Sequence, residues 1–373
     1  DMVLHTIAEA GGEPLKMAYL TRHWLARLSV WTFVAAITAA GFAFPPAWAA
    51  GTDGADDPLA GEKNLISEII DSVVAITAVI PDDARTVQSL GGLRSGNGIV
   101  IDADGLVLTI GYLILEAEKA AVTDSKGDLV PAALVAYDHN TGFGLLRAEK
   151  PLGIKPIKLG ASGDLAEGAD VIVVSKGGRV PVMPARVSSR REFAGYWEYL
   201  LDNAIFTVPA FPNYGGAALI NRKGRLVGIG SLVVNDAAGP ESPVQGNMFV
   251  PIDLLKPILK ELVDSGQTSA PAHPWLGIYT DERNGRVFVI RVANDGPASE
   301  AGILPGDIVI GVGGKRVSGV SDFYRKIWKG SAGDEISLDI LPVREGSIDI
   351  KPVKVKSRNR LNWLKLKRNK EKL

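Results

Sequence analysis

The sequence predicts a mostly β protein in which an all-β barrel or sandwich region is followed by a small α/β module. Three observations carry this reading. Short apolar segments separated by Gly and Asp turns recur about every ten residues between 63 and 266. Helical periodicity is confined to the two edges of that region. A Pro/Ala/Ser stretch at 267–274 then separates it from a module of roughly 85 residues in which strands and helices alternate.

The elements follow in order. A leading helix is expected over 62–72. Strands are expected at 73–80, 98–102, 106–110, 120–125, 128–138, 144–148, 170–175, 204–208, 217–220 and 225–234. An amphipathic stretch at 252–266, closed by Gly266, reads as the helix that ends the region. After a linker at 267–272, the module at 273–358 holds strands such as WLGIYT and RVFVIRV and two helical stretches, PASEAG and SDFYRKIWK. At 373 residues the chain has room for more than one core.

Net charge is −1 but unevenly spread: residues 50–62 are acidic, whereas 351–373 carry about ten Lys and Arg against Glu371. Cysteine is absent, which excludes disulfides, thiolate metal sites, a cysteine nucleophile and lipid attachment through cysteine. No cofactor or metal site is expected. Near the front, Met17 opens a segment with Arg22, His23 and Arg27, an apolar run from Leu28 to Phe44, and Ala47-Trp48-Ala49. This order of basic, apolar and small-residue parts predicts a signal peptide over 17–49, cleaved near Ala49, and a periplasmic product; the alternative is a membrane anchor formed by the same segment. Residues 1–16 read as an upstream extension.

Three segments resemble the catalytic blocks of HtrA-type (DegP-like) serine proteases, in the family's order: SGNGIVIDADGLVLTIGYLI (95–114), AYDHNTGFGLLRA (136–148) and FPNYGGAALINRKGRLVGI (211–229). PWLGI (274–278) and GPASEAGILPGDIVIGVGGKRV (296–317) resemble that family's PDZ domain. The resemblance covers about 63–350 and implies a chymotrypsin-like double six-stranded β-barrel followed by an α/β PDZ domain.

Carried over residue by residue, the resemblance places the histidine base at Tyr112, the aspartate that orients it at Gly142 and the serine nucleophile at Tyr214. None of these can do the original work. A hydroxyl nucleophile needs a base to take its proton, and that base needs a partner fixing its tautomer. A tyrosine with a pKa of about 10 is a poor proton acceptor at neutral pH, and glycine has no side chain. The second oxyanion donor falls on Pro212, which has no N–H. Once the signal segment is removed only His139 and His273 remain, so a rearranged serine endopeptidase would have to draw on one of them. Tyr112 and Tyr214 are expected to face one another across the cleft, either as a repurposed aromatic site or simply as two rings filling it.

The PDZ resemblance implies peptide binding at Trp275, Leu276, Gly277, Ile278 and Tyr279, with Phe323 and Ile327 lining an apolar pocket. A peptide adds a strand to the sheet edge while backbone N–H groups catch its carboxylate. The basic stretch at 359–373, interleaved with Leu361, Trp363, Leu364 and Leu366, reads either as a contact for anionic lipid or an acidic partner, or as a solvated end. Nucleic acid is not expected as a partner of an exported chain. The resemblance implies a trimer or another homo- or hetero-oligomer. The expectation is a periplasmic, catalytically inactive HtrA-like pseudoprotease acting as an adaptor, regulator or chaperone-like module. A serine endopeptidase with rearranged residues, in envelope quality control, and a structural subunit of an envelope complex are the alternatives.

Overall fold

The structure, a computed structural model, describes residues 58–366 apart from 125, 178–180 and 344–348. The extension 1–16, the signal segment 17–49, the first part of the acidic stretch and residues beyond 366 lie outside the described residues. Helix α1 (Pro58–Asp71) takes in the last residues of that acidic stretch.

The first barrel consists of β1 (Val73–Val79), β2 (Leu93–Val100), β3 (Leu106–Ile110), β4 (Lys119–Thr123), β5 (Leu129–Tyr137) and β6 (Phe143–Ala148), with the short helix α2 (Val87–Leu90) between β1 and β2. It closes in the order β1-β2-β3-β6-β5-β4, because β1 pairs with both β2 and β4. The second barrel holds β7 (Asp170–Val174), β8 (Val182–Gly195), β9 (Tyr199–Val208), β10 (Ala218–Asn221), β11 (Leu226–Val234) and β12 (Gly246–Pro251). There β10 pairs with both β7 and β11, so neither barrel leaves a sheet edge unpaired. One continuous apolar core joins the barrels, from Leu108 and Leu145 in the first to Phe206 and Met248 in the second.

The continuous helix expected over 252–266 is interrupted. Ile252–Leu254 forms a single 3₁₀ turn, and α3 runs only from Leu259 to Ser265, because Pro257 has no N–H to extend the turn. Gly266 closes α3 in the left-handed region, φ 76°, with its N–H on Leu262 O.

The third unit contains β13 (Ile278–Arg283), β14 (Arg286–Val292), α4 (Pro297–Glu300), β15 (Ile308–Val312), β16 (Lys315–Arg316), α5 (Val320–Ile327), β17 (Glu335–Leu341) and β18 (Lys351–Lys356). Its sheet order is β13-β14-β15-β17-β18, which leaves β13 at an edge. Leu276, Ile278, Val289, Phe323, Tyr324 and Leu338 form its core.

Residues 359–366, expected as the start of a basic tail, are instead folded onto the protein. Asn359 caps α6 (Arg360–Trp363) by accepting Leu361 N–H. Trp363 packs on Trp275 with ring centroids 4.9 Å apart and donates through Nε1 to Asn294 O. Lys365 N–H donates to the buried Glu116 carboxylate of the first barrel at 2.7 Å. The Leu and Trp residues between the basic ones thus supply an apolar face that buries against Leu115, Ala293 and Trp275.

Candidate functional site

Strand β3 ends in a 3₁₀ turn, Gly111–Leu113, that carries Tyr112 into the cleft between the barrels. The phenol reaches across to the second barrel and donates to Ser231 O at 3.0 Å. Its own carbonyl accepts from Arg94 Nη1 at 2.7 Å. Arg94 also donates to Leu115 O and Thr86 Oγ1, and burial lowers its pKa to about 10 while Glu116 opposes the fall. Burial pushes the Tyr112 phenol above its ordinary range, and the neighbouring Tyr214 adds to the rise. Tyr112 is therefore a neutral hydrogen-bond donor at physiological pH and takes no proton.

Tyr214 sits in the turn before β10. Asn97 of β2 holds this turn, donating through its backbone N–H and Nδ2 to Gly215 O and through Nδ2 to Asn213 O. Asn247 brackets it from the other side, accepting Phe211 N–H and donating to Phe211 O. Crowding explains the glycines: a Cβ on Gly216, where φ is 73°, would lie 2.0 Å from Asn97 O, and one on Gly230 would lie 2.0 Å from Tyr214 O. Pro212, on the same turn, is exposed and presents no N–H.

Gly142 joins this site through its carbonyl, which accepts Gly111 N–H at 2.7 Å. Its φ is 81°, and Tyr199 Oη lies 3.1 Å from where its Cβ would be. Asp138 does not orient a base: its carboxylate accepts from Thr141 N–H and Thr141 Oγ1 and serves the turn. His139 lies elsewhere, with Nδ1 2.9 Å from Arg360 Nη1 and 3.1 Å from Tyr137 Oη. Burial and the Arg360 charge hold its pKa well below the usual imidazole range, which keeps it neutral. His273 stacks on Trp328 with centroids 4.7 Å apart. Both histidines line a cavity of about 240 Å³ together with Asp138, Glu198 and Arg360. The structure thus brings Tyr112, Tyr214 and Gly142 to one cleft and holds His139 and His273 at another place.

At the module's edge strand, the N–H groups of Leu276, Gly277 and Ile278 converge on one acceptor. That acceptor is the carboxylate of Glu198, from the turn between β8 and β9, at 3.0, 2.6 and 2.8 Å. Thr280 N–H then donates to Tyr196 O at 2.9 Å. Tyr324 of α5 clamps the same turn, donating to Gly195 O and accepting Glu198 N–H. Ala194 and Leu200 flank the turn and pack on the core that contains Phe323 and Ile327. Burial raises the Glu198 carboxyl to about 7, against the pull of its three amide donors and Arg360. Tyr279 is half-buried beneath the Arg291 guanidinium. Trp275 departs from the group: its ring turns onto Trp363, and its N–H and C=O pair with Arg358.

Glu198 was not among the residues singled out from sequence. The available signal was Tyr196-Trp197-Glu198-Tyr199, a glutamate among three aromatics on a turn.

Comparison with known proteins agrees with this architecture. Residues 96–229 match the trypsin-like peptidase domain family, and residues 274–348 match the PDZ domain family. The chain is 28% identical over 341 residues to serine protease PepD of Mycobacterium tuberculosis, an alignment covering 84% of this chain and 72% of that protein. It is 30% identical over 275 residues to a probable periplasmic serine protease do/HhoA-like of Haemophilus influenzae, covering 69% of this chain and 57% of that one. A solved structure of an HtrA-type protease AlgW variant with tripeptide shares the fold at TM-score 0.50 and 20% identity, covering 79% of this chain and 96% of that one. The relatives are serine endopeptidases by class. With two closed barrels, an edge-strand module and these matches, the chain belongs to the HtrA-like family, in which a trypsin-like peptidase domain precedes a PDZ domain.

Proposed function

We propose that this protein is a periplasmic, catalytically inactive HtrA-like pseudoprotease that binds peptides or partner proteins through its PDZ domain, as an adaptor, regulator or chaperone-like module. The observation that carries the reading is the chemistry of the inter-barrel cleft. Where the family resemblance calls for a base, an orienting acid and a nucleophile, the chain has Tyr112, Gly142 and Tyr214. Tyr112 is committed as a donor to Ser231 O, and Gly142 offers only backbone. Loss of triad members removes several orders of magnitude of turnover, and the missing N–H at Pro212 removes a further oxyanion donor.

The periplasmic assignment rests on the signal-like segment 17–49 and on relatives named as periplasmic. The test is casein degradation by the purified protein. No turnover is expected, and turnover abolished by a serine-directed active-site reagent would overturn the proposal. His139→Ala separates the endopeptidase reading: a protease built on rearranged residues loses activity, whereas a binding module keeps its binding.

A further inference from the structure

We propose that the PDZ groove carries a built-in ligand: the turn between β8 and β9 occupies it, with the Glu198 carboxylate in the place of a peptide C-terminus. This rests on the peptide-binding reading of the PDZ domain and adds what the groove holds before a peptide arrives.

The geometry reproduces both halves of peptide capture on a PDZ edge. A C-terminal carboxylate is caught by successive backbone N–H groups, and the chain behind it pairs with the free edge of a strand. Here three successive amides, Leu276, Gly277 and Ile278, all donate to Glu198. Alternate residues of a strand direct their N–H groups to the same edge, so Ile278 and Thr280 serve one side of β13. The Thr280 amide is taken by Tyr196 O, two residues before Glu198. The turn therefore fills the carboxylate loop and the strand-pairing site together.

Two further observations mark the contact as specific. Glu198 has φ 57°, a left-handed conformation that a non-glycine residue seldom adopts. That conformation lets a turn residue present its side chain to the loop as a chain end would. Glu198 is also only 2% exposed and its carboxylate is engaged by three amides, so a peptide cannot bind beside it. A peptide ending in an apolar residue, able to replace Ala194 and Leu200 against the core that holds Phe323 and Ile327, must expel the turn. Expulsion also moves Tyr199, the next residue, whose Oη donates to Thr141 O beside Gly142. Occupation of the groove is thereby tied to the inter-barrel cleft.

The test uses the full chain, wild type against E198A and the isosteric E198Q. Hydrogen exchange at Leu276, Gly277 and Ile278 reports the occupant directly. These amides are expected to be protected in the wild type, at least tenfold faster in E198A and intermediate in E198Q. A fluorescent peptide library with apolar C-terminal residues and free carboxylates is expected to bind E198A at least tenfold more tightly than wild type, whereas its amidated counterpart gains nothing. Unchanged exchange in both variants overturns the proposal, as does equal peptide affinity in wild type and E198A. Faster exchange with no peptide bound by any of the three proteins supports the internal occupant and defeats the peptide-binding reading instead.

Discussion

Tyr199 stands over Gly142: its Oη donates to Thr141 O at 2.7 Å and lies 3.1 Å from where a Cβ on Gly142 would sit. Tyr199 is buried and stacks on Trp197, so it cannot swing aside without disturbing the turn that reaches the PDZ domain. The space an orienting carboxylate would need is occupied.

Restoring the triad by substitution is therefore expected to fail. Y112H/G142D/Y214S should show no casein turnover, because Asp at 142 meets both a positive φ and Tyr199, and Pro212 supplies no oxyanion donor. G142A alone should lower stability by about 2 kcal/mol in chemical denaturation, through backbone strain and crowding. Measurable proteolysis by the triple variant would refute this.

The hydrogen bond from Tyr112 to Ser231 O links the two barrels. Y112F keeps the ring and removes the donor, so its cost should be about 1 kcal/mol, read as a lower denaturant midpoint at unchanged slope. A neutral or stabilising effect would show that the phenol contributes nothing across the cleft.

The segment after the PDZ domain is a structural strap. Glu116 is 3% exposed and accepts from Arg85 N–H, Thr86 N–H and Oγ1, and Lys365 N–H. E116A leaves those donors without their acceptor and the buried Arg94 without its neighbouring countercharge, and should cost roughly 3–5 kcal/mol. W363A, which empties the contact with Trp275, should cost about 3 kcal/mol. Thermal denaturation measures both. A truncation meant to test docking by the basic end should therefore begin after 366, since removing 358–373 also removes the strap.

Peptide affinity should depend on pH through Glu198. Its carboxyl is raised from 4.5 to about 7 in the docked turn, so the docked state holds its proton longer than the released state. Docking is favoured most below 4.5, weakens as pH rises toward 7 and is level above it. The groups facing this carboxyl are the Arg360 guanidinium, which pulls its pKa down, and the Tyr324 phenol, raised by burial; the neutral His139 lies beside the same turn. A peptide with a free carboxylate should bind roughly tenfold or more tightly at pH 7.5 than at pH 5, and E198Q should show no such rise. Titration by fluorescence anisotropy decides it, and an equal rise in E198Q would refute it.

Much of the architecture was legible in local patterns. Apolar segments such as Leu106–Ile110 and Phe143–Ala148 have the length and turn boundaries of barrel strands. Pro257 marks where the helix expected over 252–266 had to break, although the apolar periodicity on either side concealed it. The residues at the cleft, Tyr112, Gly142, Pro212 and Tyr214, could be named from their motifs. What each can and cannot do chemically follows from residue type.

The sequence by itself determined most of the barrel strands, though not β8 or β12, and which chemical groups stand at the cleft positions and which are missing from them. Only the tertiary structure decided what fills the PDZ groove and where the basic segment goes. The physical reason is distance along the chain: Glu198 meets Gly277 across 79 residues, and Lys365 meets Glu116 across 249. Each contact satisfies buried polar groups with partners that no local pattern specifies. A lone glutamate on an aromatic turn and a tryptophan among lysines acquire their roles only when folding brings a ring of free amides, or an apolar seat, within reach.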